Sequence, residues 1–229
     1  MTATARRSAA LRAATAIGAA GALLAGTAAC TGSSGSTAPR PTPTASSSPV
    51  TLSGKLAVDP EVGVRFRLPV GWYQIPLGAG THAALTRLVH DPAKVGDIEA
   101  QIRLGQFRGM HLFAIRPHGT ASPDSMNLSI TQAQTTTLPA LRKLLEVSTG
   151  QTAADTPQFQ QVTLPAGPAL RVHYTLPDGD TVTQYYLISG GLAYTLTETT
   201  AASSGAATAR ADGAVTDAVA RTLHLSATT

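Results

Sequence analysis

Six histidines, at positions 82, 90, 111, 118, 173 and 224, are the side chains best suited to bind a transition metal or shuttle protons, yet none falls into a His-Glu-x-x-His or His-x-His spacing. A zinc site needs three or four ligands converging on one point, so the sequence predicts no metal site and no cofactor. Nucleophilic chemistry is equally poorly served. No Gly-x-Ser-x-Gly elbow occurs, and the serine-rich stretches lie where nothing would hold a hydroxyl against a base. Asp178 and Asp180 resemble paired carboxylates only in spacing, because Asp178-Gly179 is a turn signal that already accounts for Asp178. The stretch from Gly63 to Gly71 lacks the Gly-Lys-Ser/Thr ending of a phosphate loop. A catalytic set is therefore not expected, and the chain reads as a non-enzyme.

Cys30 is the one cysteine, so it cannot close an intramolecular disulfide or build a multi-thiolate site. Its position gives it a different chemistry. Residues 1–29 begin with Arg6, Arg7 and Arg12, continue through an apolar run around Ile17 and Leu23-Leu24, and end in small residues. That order is the order of a secretory signal peptide. The 17 uncharged residues between Arg12 and Cys30 are rich in Ala, Gly and Thr, short of the roughly 20 strongly apolar residues of a stable span, so cleavage is expected rather than retention. Thr27-Ala28-Ala29-Cys30, preceded by Leu23-Leu24-Ala25-Gly26, resembles the lipobox of bacterial lipoproteins. The resemblance implies that the Cys30 thiol receives diacylglycerol, becomes a palmitate-bearing N-terminus, and holds the protein at the outer face of the plasma membrane.

Residues 30–50 are a Ser/Thr/Pro/Gly tether with too little apolar surface to form a core, and residues 51–229 are expected to form one globular domain. Of 17 basic residues three lie in the leader, which leaves 14 against 13 acidic ones in the mature chain. With no Lys/Arg run to follow a phosphate backbone, nucleic acid is excluded as a partner.

Within the domain, Val62, Val64, Phe66 and Leu68 alternate with Gly63, Arg65 and Arg67, the period of a half-buried strand. Pro69-Val70-Gly71 then turns the chain into Trp72, expected to anchor the core. Helices are predicted over residues 83–89, 93–109, 138–147 and 207–223, and strands over 110–115 and 126–132. Asp178-Gly179 and Gly190-Gly191, each taken as a two-residue hairpin turn, predict that Val172 pairs with Tyr185 and Tyr185 with Leu196. One face of this meander would then hold Leu170, Val172, Tyr174, Tyr185, Leu187, Tyr194 and Leu196. The opposite face would gather Arg171, His173, Gln184 and Tyr186, whose planar hydrogen-bonding groups and contact area make them the predicted binding patch.

Hairpins without a regular βαβ rhythm predict an α+β domain, a largely antiparallel sheet flanked by helices. Phe66-Arg67-Leu68-Pro69-Val70-Gly71-Trp72 resembles the strand, Pro-x-Gly-Trp turn and strand that open PsbP-like domains. The meander through Gly190-Gly191-Leu192-Ala193-Tyr194-Thr195-Leu196, with the helix after it, is similar to the end of that fold. Among such proteins the chain resembles the LpqN-like lipoproteins of actinobacteria. The resemblance implies an αβα sandwich and a non-catalytic binding or accessory role at the cell envelope, toward an envelope protein or small ligand. An envelope hydrolase with a dispersed active site is the alternative reading.

Overall fold

A computed structural model describes residues 52–118, 122–204 and 206–226; Cys30, the leader and the tether lie outside them. Ten strands and four α-helices follow one another as β1 (Leu52–Asp59), β2 (Val64–Pro69), β3 (Tyr73–Gln74), α1 (Thr81–Leu88), α2 (Pro92–Phe107), β4 (Met110–Arg116) and β5 (Asp124–Gln132), then α3 (Leu138–Gly150), β6 (Gln158–Leu164), β7 (Gly167–Thr175), β8 (Thr181–Ser189), β9 (Leu192–Thr200), α4 (Ala206–Ala220) and β10 (His224–Leu225). The strands form a seven-stranded sheet, ordered β3-β4-β5-β9-β8-β7-β6, and a three-stranded sheet, β1-β2-β10. All pairings are antiparallel. The domain is α+β.

Helix boundaries follow local chemistry. Asp91 caps α2 by accepting from the Ala93 amide at 2.9 Å, and Pro92 opens the helix where its missing N–H costs nothing. Val95, Ile98, Ile102 and Gly105 then recur at helical spacing as its buried side. Thr137 caps α3 in the same manner, with proline in the first turn. The expected alternation in β2 is present, with Val64, Phe66 and Leu68 buried and Arg65 and Arg67 exposed. Gly71, at φ 83°, takes the left-handed position of the turn closed by Trp72 N–H to Pro69 C=O.

The large sheet is buried on both faces. On one, Leu112, Ala114, Met126, Leu128, Tyr185, Leu187, Tyr194 and Leu196 pack beneath β1, β2 and the Val219, Ala220 and Leu223 end of the chain. On the other, Phe113 and Ile115 meet α1 and α2, while Leu170, Val172, Tyr174, Val182 and Tyr186 meet Leu145 of α3. Helices therefore flank the sheet as expected, but the layer containing α4 is shared with the small sheet.

The second predicted turn is as expected. Ser189 pairs with Leu192 across Gly190-Gly191, both at positive φ, and Tyr185 pairs with Leu196. The first is corrected by one residue. Arg171, not Val172, pairs with Tyr185, and Leu170 pairs with Tyr186. Pro177 is the reason: a two-residue turn at Asp178-Gly179 would close on the pair Pro177 and Asp180, and proline has no N–H to give. The hairpin closes on Leu176 and Asp180 instead, with Leu176 N–H donating to Asp180 C=O at 2.8 Å and Gly179 N–H to Leu176 C=O at 2.9 Å. The loop becomes the three residues Pro177-Asp178-Gly179, ending in a left-handed glycine at φ 89°.

Trp72 is 2 % exposed, and its indole N–H is buried with no acceptor among the described residues. Trp72→Ala should lower unfolding free energy by about 3–5 kcal/mol. Trp72→Phe should cost clearly less, since it keeps a ring and removes the unpaired donor. Denaturant unfolding of the two variants checks both the size and the order.

Candidate functional site

The corrected register separates the predicted patch. Arg171 and His173 lie on the sheet face that carries Tyr185 and Thr183, under α4, while Gln184 and Tyr186 lie on the opposite face with Val172 and Leu170. A one-residue shift moves every side chain of a strand to the other face. The structure thus brings together two pairs, not four residues.

Each pair has a local role. Gln184 and Tyr186 are buried: the Tyr186 hydroxyl donates to Gln184 Oε1 at 2.8 Å, and Gln184 Nε2 donates to Thr197 Oγ1 at 3.2 Å. Burial, with Tyr174 beside it, pushes the Tyr186 phenol strongly upward, and burial pushes Tyr174 up to about 12. On the other face Arg171 Nε donates to Asp217 Oδ1 of α4 at 2.9 Å, and the Tyr185 hydroxyl donates to the same oxygen. Burial opposes the Arg171 charge, but Asp217 outweighs it and the net pull is upward. Tyr185 is pushed upward by burial and by its bond to the Asp217 carboxylate. The next inward-facing residue of β7, His173, shares a 3.0 Å hydrogen bond with Thr183 Oγ1.

A second cluster lies where β4 ends, β5 begins and β9 ends. Arg116 and Asp124 are directly paired across the ladder. The Asp124 side chain is completely buried, and its Oδ2 accepts from Arg116 Nε at 2.8 Å and Nη2 at 2.5 Å and contacts His118 Nε2, while Oδ1 accepts the Ala201 amide at 2.9 Å. The Arg116 guanidinium also lies 5.6 Å from the centre of the Trp72 ring. Glu198 and Thr200 are buried on the same face of the neighbouring strand. Asp180, whose Oδ1 accepts the Ala202 amide at 2.8 Å, is raised by burial and then, against that hydrogen bond, by the charges of Asp178 and Asp124. The sequence reading did not single out Arg116 or Asp124. Their only signal was that both lie in the loop between the strands predicted over 110–115 and 126–132, near its two ends, and His118 appeared only as one of six scattered histidines.

Among the described residues no three His, Cys, Asp or Glu side chains are grouped to hold a metal ion, and no helix is long and apolar enough to cross a membrane. A cavity of about 310 Å³ opens between α1 and α2, lined by Gly78, Gly80, Thr81, His82, Glu99, Ile102, Arg103 and Gln106. His82 and Glu99 face one another there at 2.9 Å. The acid and base in that cavity are thus bonded to each other at its rim.

No family model matches the sequence, and no curated protein matches it. Similar solved structures include the solution structure of cyanobacterial PsbP (CyanoP) from Synechocystis sp. PCC 6803, with a TM-score of 0.44 and 12 % identity over 75 % of this chain and 92 % of that one. Another is a crystal structure at 1.50 Å resolution from Bacteroides thetaiotaomicron VPI-5482, with a TM-score of 0.43 and 12 % identity over 76 % of this chain. The match spans about half, 49 %, of that second protein. A PsbP-like domain is therefore among the structural neighbours, at low similarity.

Two outcomes follow from these clusters. Asp124→Ala removes a fully buried carboxylate that accepts from the Arg116 guanidinium and the Ala201 amide, and should lower stability by about 3–5 kcal/mol, measured by urea unfolding. His173 is held below its ordinary value of 6.5 by burial and then by the Arg171 charge, with Asp155 and Asp217 pulling weakly the other way. The fold thus favours the neutral ring, and the stability this supplies is complete above the ordinary imidazole pKa and lost as pH falls through the lowered one. His173→Gln should therefore lose less melting temperature than the parent between about pH 7 and about pH 5. An equal loss in both proteins would remove His173 from the account.

Proposed function

We propose that the chain is an exported lipoprotein, anchored through diacylated Cys30 to the outer face of the plasma membrane, whose domain has a non-catalytic binding or accessory role toward an envelope protein or small ligand. The observation that carries the anchor is the placement of the one cysteine, after an Arg-led apolar leader closed by Thr27-Ala28-Ala29 and before a Ser/Thr/Pro tether. Two acyl chains suffice for stable attachment, where one binds only marginally. Only 20 residues, 31–50, would separate the anchor from the start of the domain, which would keep the domain within reach of the bilayer. The resemblance of the Pro-x-Gly-Trp turn and the C-terminal meander to PsbP-like domains, and among these of the chain to LpqN-like lipoproteins, is in line with this reading.

The non-catalytic part of the reading is supported by how the charged groups are used. Asp124 accepts from a guanidinium and a backbone amide and touches an imidazole, and Asp217 is shared between Arg171 and Tyr185. Such groups hold strands and a helix together. A reacting group would instead need to face a substrate within hydrogen-bond reach.

Cys30→Ser tests the anchor, because serine cannot form the thioether. The wild-type protein should carry the mass of a diacylglyceryl group and partition into detergent, and the variant should remain unprocessed or move to the aqueous phase. Equal mass gain and equal partitioning in the two proteins would overturn the reading.

A further inference from the structure

The small sheet presents an outer face whose pattern is the reverse of a solvated one. In β1 the side chain turned inward is Ala57, while the larger Leu56 and Val58 point outward and remain 47 % and 44 % exposed. Directly across the ladder from them stand Arg67 and Arg65, also exposed, and His224 of β10 lies beside Arg65. A surface strand that covers a core ordinarily places its apolar residues inward and its polar ones outward. Here an apolar pair and a cationic pair share the outer side.

The charge on this face has one sign. Asp59, at the end of β1, is on the inward side with Val64 and is bonded to His111 Nδ1 at 3.0 Å. Glu61 lies beyond, in the turn to β2. Neither Arg65 nor Arg67 has an acidic partner among the described residues. Two residues apart on one strand, they are separated by about 7 Å, enough to engage different phosphates. Val70, 63 % exposed, extends the apolar part at the turn after Pro69, which pairs with Leu52 at the start of β1. Leu52 is also where the chain arrives from the tether.

We propose that the outer face of the three-stranded sheet docks on the anionic headgroup surface of the membrane, with Arg65 and Arg67 on lipid phosphates and Leu56 and Val58 at the boundary between headgroups and acyl chains. The inference rests on the anchor read from Cys30, which makes weak docking sufficient. A tethered domain meets its surface at an effective concentration set by the linker, so the second contact needs little affinity of its own. Electrostatic attraction decays within a Debye length of about 8 Å, so the arginines act only when this face is turned toward the lipid. Each should contribute about fivefold to the docked population over an anionic bilayer.

The test uses the full lipidated chain carrying Val58→Cys, labelled with a polarity-sensitive NBD maleimide and reconstituted into phosphatidylcholine vesicles with or without phosphatidylglycerol. Acylation of Cys30 leaves residue 58 as the one reactive thiol, so the number of dyes per chain reports on the anchor and the emission colour reports on docking. A blue shift that requires phosphatidylglycerol and disappears in high salt is expected. Adding Arg65→Glu and Arg67→Glu should abolish it while circular dichroism and melting temperature stay unchanged. One dye per chain with the same water-exposed emission in both vesicle types would overturn the docking and leave the anchor standing. A shift that follows protein concentration rather than lipid charge would assign the face to a second copy of the chain, and also overturns the proposal. Two dyes per chain would overturn the anchor, and docking is then decided by the emission of the Cys30→Ser, Val58→Cys chain added to the same vesicles.

Discussion

Proline lacks an amide hydrogen, and at Pro177 that lack sets how β7 lies against β8. The closing pair of the hairpin moves outward to Leu176 and Asp180, and every residue of β7 shifts by one against β8. Leu170, Val172 and Tyr174 are thereby directed to α3, and Arg171 and His173 to the face under α4. Had the turn held two residues, the apolar residues of β7 would have crowded one face and left α3 only Val182 and Tyr186 of β8 to pack on. The two-sided burial of the sheet at its β7 end depends on this register.

Charge is used to fasten the layers once the register has placed it. Arg171 reaches out of the sheet to Asp217 and so ties α4 to β7, with the Tyr185 hydroxyl on the same oxygen. At the neighbouring strand ends Asp124 joins β5 to Arg116 of β4, to His118 and to the Ala201 amide beyond β9. A buried carboxylate is tolerated when its lone pairs are satisfied in this way. Close backbone approach does similar work at Gly109, where φ is 81° and a Cβ would come within 2.2 Å of the Ile130 carbonyl oxygen. No other residue fits between α2 and β4 at that distance.

Much of this architecture was legible from local pattern. The alternation in β2, the Gly190-Gly191 turn and the helical spacing of Leu141, Leu144 and Leu145 in α3 each express one strong preference. The β7–β8 register was not, because Asp178-Gly179 carries a turn signal whichever of two loops it belongs to, and only the proline before it distinguishes them. Since the predicted patch of Arg171, His173, Gln184 and Tyr186 inherited that register, it divided between two faces. Strands β1 and β6 escaped notice for a different reason. Both are edge strands, and Gln158, Gln160 and Gln161 of β6 are exposed, so neither carries the apolar period that marks a buried strand. The Asp124 cluster required knowing that β4 and β5 are partners, which is a tertiary fact.

Trp72 is the one tryptophan in the chain, enclosed where the β2–β3 turn, the small sheet and the Arg116 guanidinium meet. All indole emission of the protein therefore originates from that single junction. Its wavelength reports whether water has reached the seam between the two sheets, and it is silent about the α3 side of the domain. Loosening on the small-sheet side and loosening around α3 are thus separable by optical means, without any label being introduced.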